Sequence, residues 1–181
     1  MSNNGLSGFI DLSGLPDINM FVFSYNAITG LLLSGLQNLE ILHAYDNLLT
    51  TEQIYNCPSL NYLKLNDNNL TGINVTGLDN LANLYVYNNQ LTGLSLSGLS
   101  HLAYLDAEEN KISSLSLSAL PSLRRLYMWG NNLSSMEFSG LESLEYVDLG
   151  LNLLTGISLS NLPVFETLYI NGNQLTDLDI S

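Results

Sequence analysis

Leu81-Ala82-Asn83-Leu84-Tyr85-Val86-Tyr87-Asn88-Asn89-Gln90-Leu91-Thr92-Gly93-Leu94-Ser95-Leu96-Ser97-Gly98-Leu99 is the stretch that decides the fold. Leu84-x-Val86 alternates, as a short strand with one buried face does. Leu94-x-Leu96 alternates again, framed by Thr, Ser and Gly. Neither half carries the i, i+3, i+4 stripe of an amphipathic helix, so the second half is expected to be extended or tightly turned. The pattern then returns as Leu102-x-x-Leu105-x-Ala107-x-x-Asn110-x-Ile112. Followed outward, its asparagine falls at Asn26, Asn47, Asn68, Asn89, Asn110, Asn131, Asn152 and Asn173, always at the same interval.

Such a clock, with a period of about 21 residues, implies a stack of near-identical coils, each too small to fold alone and sharing one continuous core. The expectation is a single solenoid domain over 1–181 with eight repeats and a partial coil at 1–15. In that partial coil Ile10, Leu12 and Leu15 match Leu31, Leu33 and Leu36. The Leu84-x-Val86 segments should stack into an eight-stranded parallel sheet on the concave side of an arc. Extended, turn or 3-10 segments should line the convex side, with little α-helix. An inward-turned asparagine offers donors and an acceptor to its own coil and a neighbouring one; aspartate lacks the donors. Thr51-Glu52-Gln53-Ile54 breaks the rule by placing Glu52 where other coils have Ile73 or Leu94. Because a buried unpaired carboxylate is costly, a local bulge turning Glu52 outward is expected. Cys57, the single cysteine, shares its phase with Leu78 and Leu99 and reads as a small buried hydrophobe.

The motif L-x-x-L-x-L-x-x-N-x-L resembles the leucine-rich repeat signature from about Leu12 to Ile180. The short period and the Thr-Gly-Leu-Ser-Leu-Ser-Gly-Leu second half resemble bacterial leucine-rich repeat proteins of the internalin type. Many such repeats carry cysteine at the third apolar strand position, which here holds Phe23, Ala44, Leu65, Val86, Ala107, Met128, Leu149 and Ile170. Neither the helical N-terminal cap nor the further C-terminal domain of internalins is expected within residues 1–181. The resemblance implies a surface or adhesion protein that binds a partner, outside the cell or on a cell or particle surface.

Charge narrows the partners. Seventeen acidic residues face four Lys plus Arg, a net charge of −13. Nucleic-acid binding needs cationic contacts to phosphate, so it is excluded. Attachment to anionic membranes is disfavoured for the same reason. No stretch has the length and apolarity of a membrane span, and residues 1–14 lack the form of a signal peptide. A basic protein partner fits the balance.

Four columns of side chains flank the strand positions and are expected on the concave face. Between the strand's apolar residues they read Val22, His43, Lys64, Tyr85, Asp106, Tyr127, Asp148, Tyr169. Before them come Met20, Ile41, Tyr62, Asn83, Tyr104, Arg125, Tyr146, Thr167. After them come Ser24, Tyr45, Asn66, Tyr87, Glu108, Trp129, Gly150, Asn171, and last Tyr25, Asp46, Asp67, Asn88, Glu109, Gly130, Leu151, Gly172. Nine of the ten tyrosines and the only tryptophan lie here. Tyr and Trp are over-represented where surfaces recognise partners. The candidate ligand-binding residues are therefore Tyr45, Tyr62, Tyr85, Tyr87, Tyr104, Asp106, Glu108, Arg125, Tyr127, Trp129, Tyr146, Asp148 and Tyr169. Sheet stabilisation by cross-strand aromatics is the competing explanation.

No catalytic constellation is present: His43 and Ser24 are diagonal neighbours rather than a nucleophile paired with a base. Asp106, Glu108 and Glu109 could contribute to a calcium site, but no motif supplies the roughly 6–8 oxygens such a site needs, so they read as a solvated acidic patch. No cofactor is expected, and the chain reads as a non-enzymatic protein-recognition module. Two alternatives stand beside it. One is a self-assembling or particle-decorating protein pairing through its ends, where Ser2, Asn3, Asp177 and Asp179 could otherwise serve as polar caps. The other is carbohydrate binding on the same aromatic and acidic face.

Overall fold

Residues 1–118 and 120–179 are described by a computed structural model of the chain; Ala119, Ile180 and Ser181, and with Ile180 the expected end of the repeat pattern, lie outside the described residues. The strands run β1 Ser7–Asp11, β2 Met20–Val22, β3 Ala27–Ser34, β4 Ile41–His43, β5 Thr51–Tyr55, β6 Tyr62–Lys64 and β7 Asn83–Tyr85. They continue as β8 Tyr104–Asp106, β9 Arg125–Tyr127, β10 Tyr146–Asp148, β11 Gly156–Ser158, β12 Thr167–Tyr169 and β13 Asp177–Asp179. Among the described residues there is no helix.

The chain is a β-solenoid of about eight turns. Its main sheet has eight strands in the order β12-β10-β9-β8-β7-β6-β4-β2, all parallel. Each strand pairs with the equivalent residues one repeat away, as Leu84 with Leu63 and Leu105. Facing it across the core, β1-β3-β5 form a second parallel sheet at one end and β11-β13 a third at the other. The second half of the repeat is thus strand at the two ends and irregular extended chain between them, as its period-two pattern without a helical stripe implies.

The core is a continuous column of leucine. Leu42, Leu63, Leu84, Leu105 and Leu126 from the strands meet Leu78, Leu99 and Leu120 from the opposite side with no exposed surface. Cys57 is a free, fully buried thiol in the same row. Truncating such a leucine to alanine leaves a cavity and costs about 2–5 kcal/mol.

The asparagines close the turns. Asn110 Nδ2 donates to its own coil at Ala107 O (3.2 Å) and Glu108 O (3.0 Å) and to the preceding coil at Val86 O (3.0 Å). Its Oδ1 accepts from Leu91 N–H at 2.9 Å. One buried side chain thereby pairs four backbone groups, three of which aspartate would leave without a donor. The residue before each asparagine, beginning with Tyr25, Asp46, Asp67 and Asn88, turns the chain with a left-handed backbone near φ +50° to +70°. The fourth column is therefore a row of turn residues and not a row of strand side chains. Gly130 and Gly172 suit that conformation; Tyr25, Glu109 and Leu151 adopt it at a steric cost of roughly 1–2 kcal/mol each.

Two features depart from expectation. Asn4 is a further member of the asparagine ladder, set one position off the regular interval from Asn26. Its Nδ2 donates to Met1 O and Ser2 O, and Asn26 Oδ1 accepts from Leu6 N–H, repeating the regular pattern. The partial coil thus supplies a turn, with Met1 N donating to Val22 O and Asn3 N to Ser24 O. Glu52, in turn, is not bulged outward. It lies in β5 in unbroken register with Leu31 of β3, and the one register shift in this sheet is at Gly8/Phe9. Glu52 Oε1 accepts from Asn74 N–H at 2.7 Å while Oε2 is buried without a partner. The five pairings of β3 with β5 hold the backbone straight, and the carboxyl yields instead. Burial pushes its pKa up to about 7, against the opposing backbone N–H groups of Asn74 and Ile54.

Candidate functional site: an aromatic and acidic sheet face

The strand residues that point away from the leucine core meet in one row of rings. His43 contacts Tyr62 (centroids 5.5 Å apart), Tyr62 contacts Tyr85 (5.4 Å), and Tyr85 contacts Tyr104 (4.8 Å). The row continues through Tyr127 (5.2 Å), Tyr146 (4.8 Å) and Tyr169 (5.7 Å). Adjacent rings are tilted by 31–47° along the six tyrosines. Tyr45 joins this end through His43 at 6.1 Å and stands edge-on to Tyr25 at 5.2 Å.

The row runs through diagonal contacts, zigzagging between two columns. Tyr62, Tyr104 and Tyr146 start their strands, whereas Tyr85, Tyr127 and Tyr169 end theirs. Odd coils read Tyr-x-Lys or Tyr-x-Asp (Tyr62/Lys64, Tyr104/Asp106, Tyr146/Asp148). Even coils read polar-x-Tyr (Asn83/Tyr85, Arg125/Tyr127, Thr167/Tyr169). From β6 to β12 the face thus repeats every two coils although the core repeats every one; β2 and β4, with Met20/Val22 and Ile41/His43, stand outside the pattern. Column-by-column reading of the sequence missed this, and the alternation between columns is the signal that carries it.

Charge sits to one side of the row. Asp106 lies in register between Tyr85 and Tyr127 and is 9% exposed. Burial raises its pKa to about 6, reinforced by Asp67 and opposed by the Glu108 N–H and Lys64. Glu108, half-buried, rises to about 7, through burial first and then Asp106, Asp148 and Glu109. Asp148 Oδ1 accepts from Gly150 N–H at 2.9 Å. Lys64 Nζ lies 4.6 Å from the Tyr85 ring centre and 5.5 Å from that of Tyr62, within cation–π range. Burial, then Lys64, lowers the His43 pKa. Arg125, exposed, pairs in register with Tyr104 and Tyr146.

Burial also raises the phenol pKa values of Tyr85, Tyr104 and Tyr146. Hydroxyl contacts with Tyr62 and with Tyr127 add to the shift of Tyr85 and Tyr104 respectively. Tyr87, near Asp67, Asp106 and Asp46, is pushed up to about 12, chiefly by burial. These phenols remain protonated donors at any physiological pH.

The third column is less open than expected. Ser24 and Asn66 are buried, with Ser24 Oγ and Asn66 Oδ1 unpartnered, and Gly150 is buried beneath Trp129. Tyr45, Tyr87, Glu108 and Trp129 remain half-exposed there, and Tyr169 at the end of the row is exposed. The structure thus joins Tyr62, Tyr85, Tyr104, Tyr127, Tyr146 and Tyr169 in one strip flanked by Asp106, Glu108 and Asp148. Tyr45, Tyr87 and Trp129 lie along its margin. Among the described residues no group of three or more His, Cys, Asp or Glu is placed to hold a metal ion.

Residues 59–81, 80–102 and 122–144 match the family model described as Leucine Rich Repeat. Among solved structures, the chain resembles YopM, a leucine-rich effector protein from Yersinia pestis (30% identity, TM-score 0.86, 98% of this chain and 50% of that one). It also resembles YopM from Yersinia enterocolitica (29% identity, TM-score 0.82, 91% of this chain and 36% of that one). An internalin from Listeria monocytogenes follows at 25% identity and TM-score 0.72, with 99% of this chain and 59% of that one covered. The chain therefore spans between about a third and three fifths of these proteins. No curated protein matches it.

Proposed function

Since this chain is a leucine-rich repeat protein with 21-residue repeats, structurally similar to YopM and the internalins, we propose that it is a non-enzymatic recognition module. It binds a basic segment of a partner protein through the open face of its eight-stranded sheet. The observation that carries this reading is the diagonal row of six tyrosines with Asp106, Glu108 and Asp148 alongside. Tyrosine contributes large contact area at small entropic cost, and carboxylates beside it favour Lys or Arg by ion pairing. Sheet stabilisation alone gives no reason for Asp106, buried, and Glu108, half-buried, beside the rings. A ligand cation offsets the cost of ionising them.

The rings overlap one another and so present edges and hydroxyls more than open faces. A stacked sugar needs open faces, which favours protein over carbohydrate. The test is an array of basic, neutral and acidic peptides, with a glycan array in parallel, probed with the wild-type chain and a Tyr104→Ser/Tyr127→Ser variant. Binding confined to basic peptides and lost in the variant, with its thermal melt still cooperative, is the expected result. Equal binding by both proteins, or signal on glycans alone, would overturn the reading.

A further inference from the structure

We propose that the segment bound on this face is proline-rich and in the polyproline II conformation, lying across the strands along the solenoid axis with Lys or Arg at every third residue. The inference rests on the recognition reading above and adds the conformation and spacing of the ligand.

The two-coil period sets a ruler. Equivalent tyrosines (Tyr62, Tyr104, Tyr146, and on the other side Tyr85, Tyr127, Tyr169) and the carboxylates Asp106 and Asp148 recur every second strand. At about 4.8 Å per strand this is about 9.6 Å. A polyproline II helix brings every third side chain back to the same edge after about 9.3 Å. An extended strand returns to the same side after about 6.6 or 13 Å, matching neither. An α-helix returns after about 10.5 Å over seven residues. Across the two intervals from Tyr62 to Tyr146 the mismatch grows to about 0.6 Å for polyproline II and about 1.8 Å for the α-helix.

Hydrogen-bonding chemistry agrees. Polyproline II has no internal hydrogen bonds, so its carbonyls need external donors, and proline removes the N–H groups that would compete as donors. The six rings follow one another at 4.8–5.7 Å, one per strand, so each ligand turn of two strands meets two phenols. Charge gives direction: Asp106 and Asp148 stand one ligand turn apart, while Lys64 occupies the equivalent place one turn earlier, over Tyr85. Cationic residues of the ligand therefore lie over Asp106 and Asp148, and its uncharged or acidic end lies over Lys64.

Calorimetry on the wild-type chain with three synthetic peptides of equal length and charge tests this. One carries Arg at every third residue in a proline background, one carries Arg at every fourth in the same background, and one keeps the third-residue spacing in a Gly/Ser background. The first should bind about tenfold tighter than either of the others, with the preference lost in an Asp106→Asn/Asp148→Asn variant whose melt remains cooperative. Equal affinity for all three overturns the proposed conformation and spacing but leaves recognition of basic segments standing. No binding by any of them overturns both.

Discussion

The indole of Trp129 fills the space that a side chain on Gly150 would take: a Cβ at Gly150 would stand 2.6 Å from Trp129 Cδ1. Gly150 in one coil thus sets the rotamer of the tryptophan in the coil before it. Gly150→Ala forces the indole off its seat. The expected result is a shift in tryptophan emission with a stability loss of about 1 kcal/mol, read by fluorescence and urea melts. Unchanged emission would mean that the indole does not rest on Gly150.

Asn110 serves four backbone groups from inside the wall of the solenoid. Asn110→Ala leaves them unpaired, and each buried group left so costs about 1–3 kcal/mol. A loss of at least about 3 kcal/mol is expected by chemical denaturation. Asn173→Ala, at a half-buried rung where water can substitute, should cost less. Equal losses would contradict the burial argument.

Glu52 makes stability depend on pH. Its pKa rises from 4.5 to about 7 on folding. The unfolded chain therefore releases this proton first, and stability is full below about pH 4.5 and falls as pH rises through 7. The whole swing is at most about 3–4 kcal/mol, from about 1.4 kcal/mol per pKa unit. Glu52→Leu, restoring the residue type of Leu94, should flatten this slope and raise the melting temperature at pH 8. A variant that melts lower at pH 8 would show that the bond from Asn74 N–H outweighs the buried charge.

Binding of cations should show the opposite trend. Asp106 and Glu108, raised by burial to about 6 and about 7, are neutral at pH 5 and charged at pH 8. Affinity for an Arg-containing peptide should therefore rise between pH 5 and 8, by up to about tenfold per carboxylate. Glu108→Gln should remove the upper part of the change. An affinity flat across this range would take these carboxylates out of the site.

Leu151 is exposed and left-handed, at φ +48°. Leu151→Asn places there the residue type already present at Asn88, which tolerates that backbone. A gain of up to about 1 kcal/mol is expected in a denaturant melt. A loss would show that the contact of Leu151 with Gly172 matters more than the backbone strain.

Much of the fold was legible because each coil repeats the same physical problem. An asparagine at a fixed interval and two period-two runs leave one economical packing, and the eight-stranded sheet follows. What stayed hidden lies where the repeat is imperfect. Asn4 escaped because it stands just off that interval. Glu52 was misread because the cost of burying charge was assigned to the backbone, whereas proton uptake relieves it more cheaply than breaking five strand pairings. Tyr25, Glu109 and Leu151 disguised a turn column that Asp, Asn and Gly would have revealed. The tyrosine enrichment was visible, but its diagonal order was not, because each column was read down its own length.

The two periods have a consequence for how such a chain can be lengthened or shortened. Excising one coil, such as that of Tyr104, would leave the leucine column continuous and every asparagine with a neighbour. It would also bring Tyr85 and Tyr127 side by side in one column and break the diagonal. Excising two adjacent coils would preserve both. The smallest segment that can be copied or removed without scrambling the face is therefore a pair of coils, even though copying or removing one coil leaves the core and the asparagine ladder continuous.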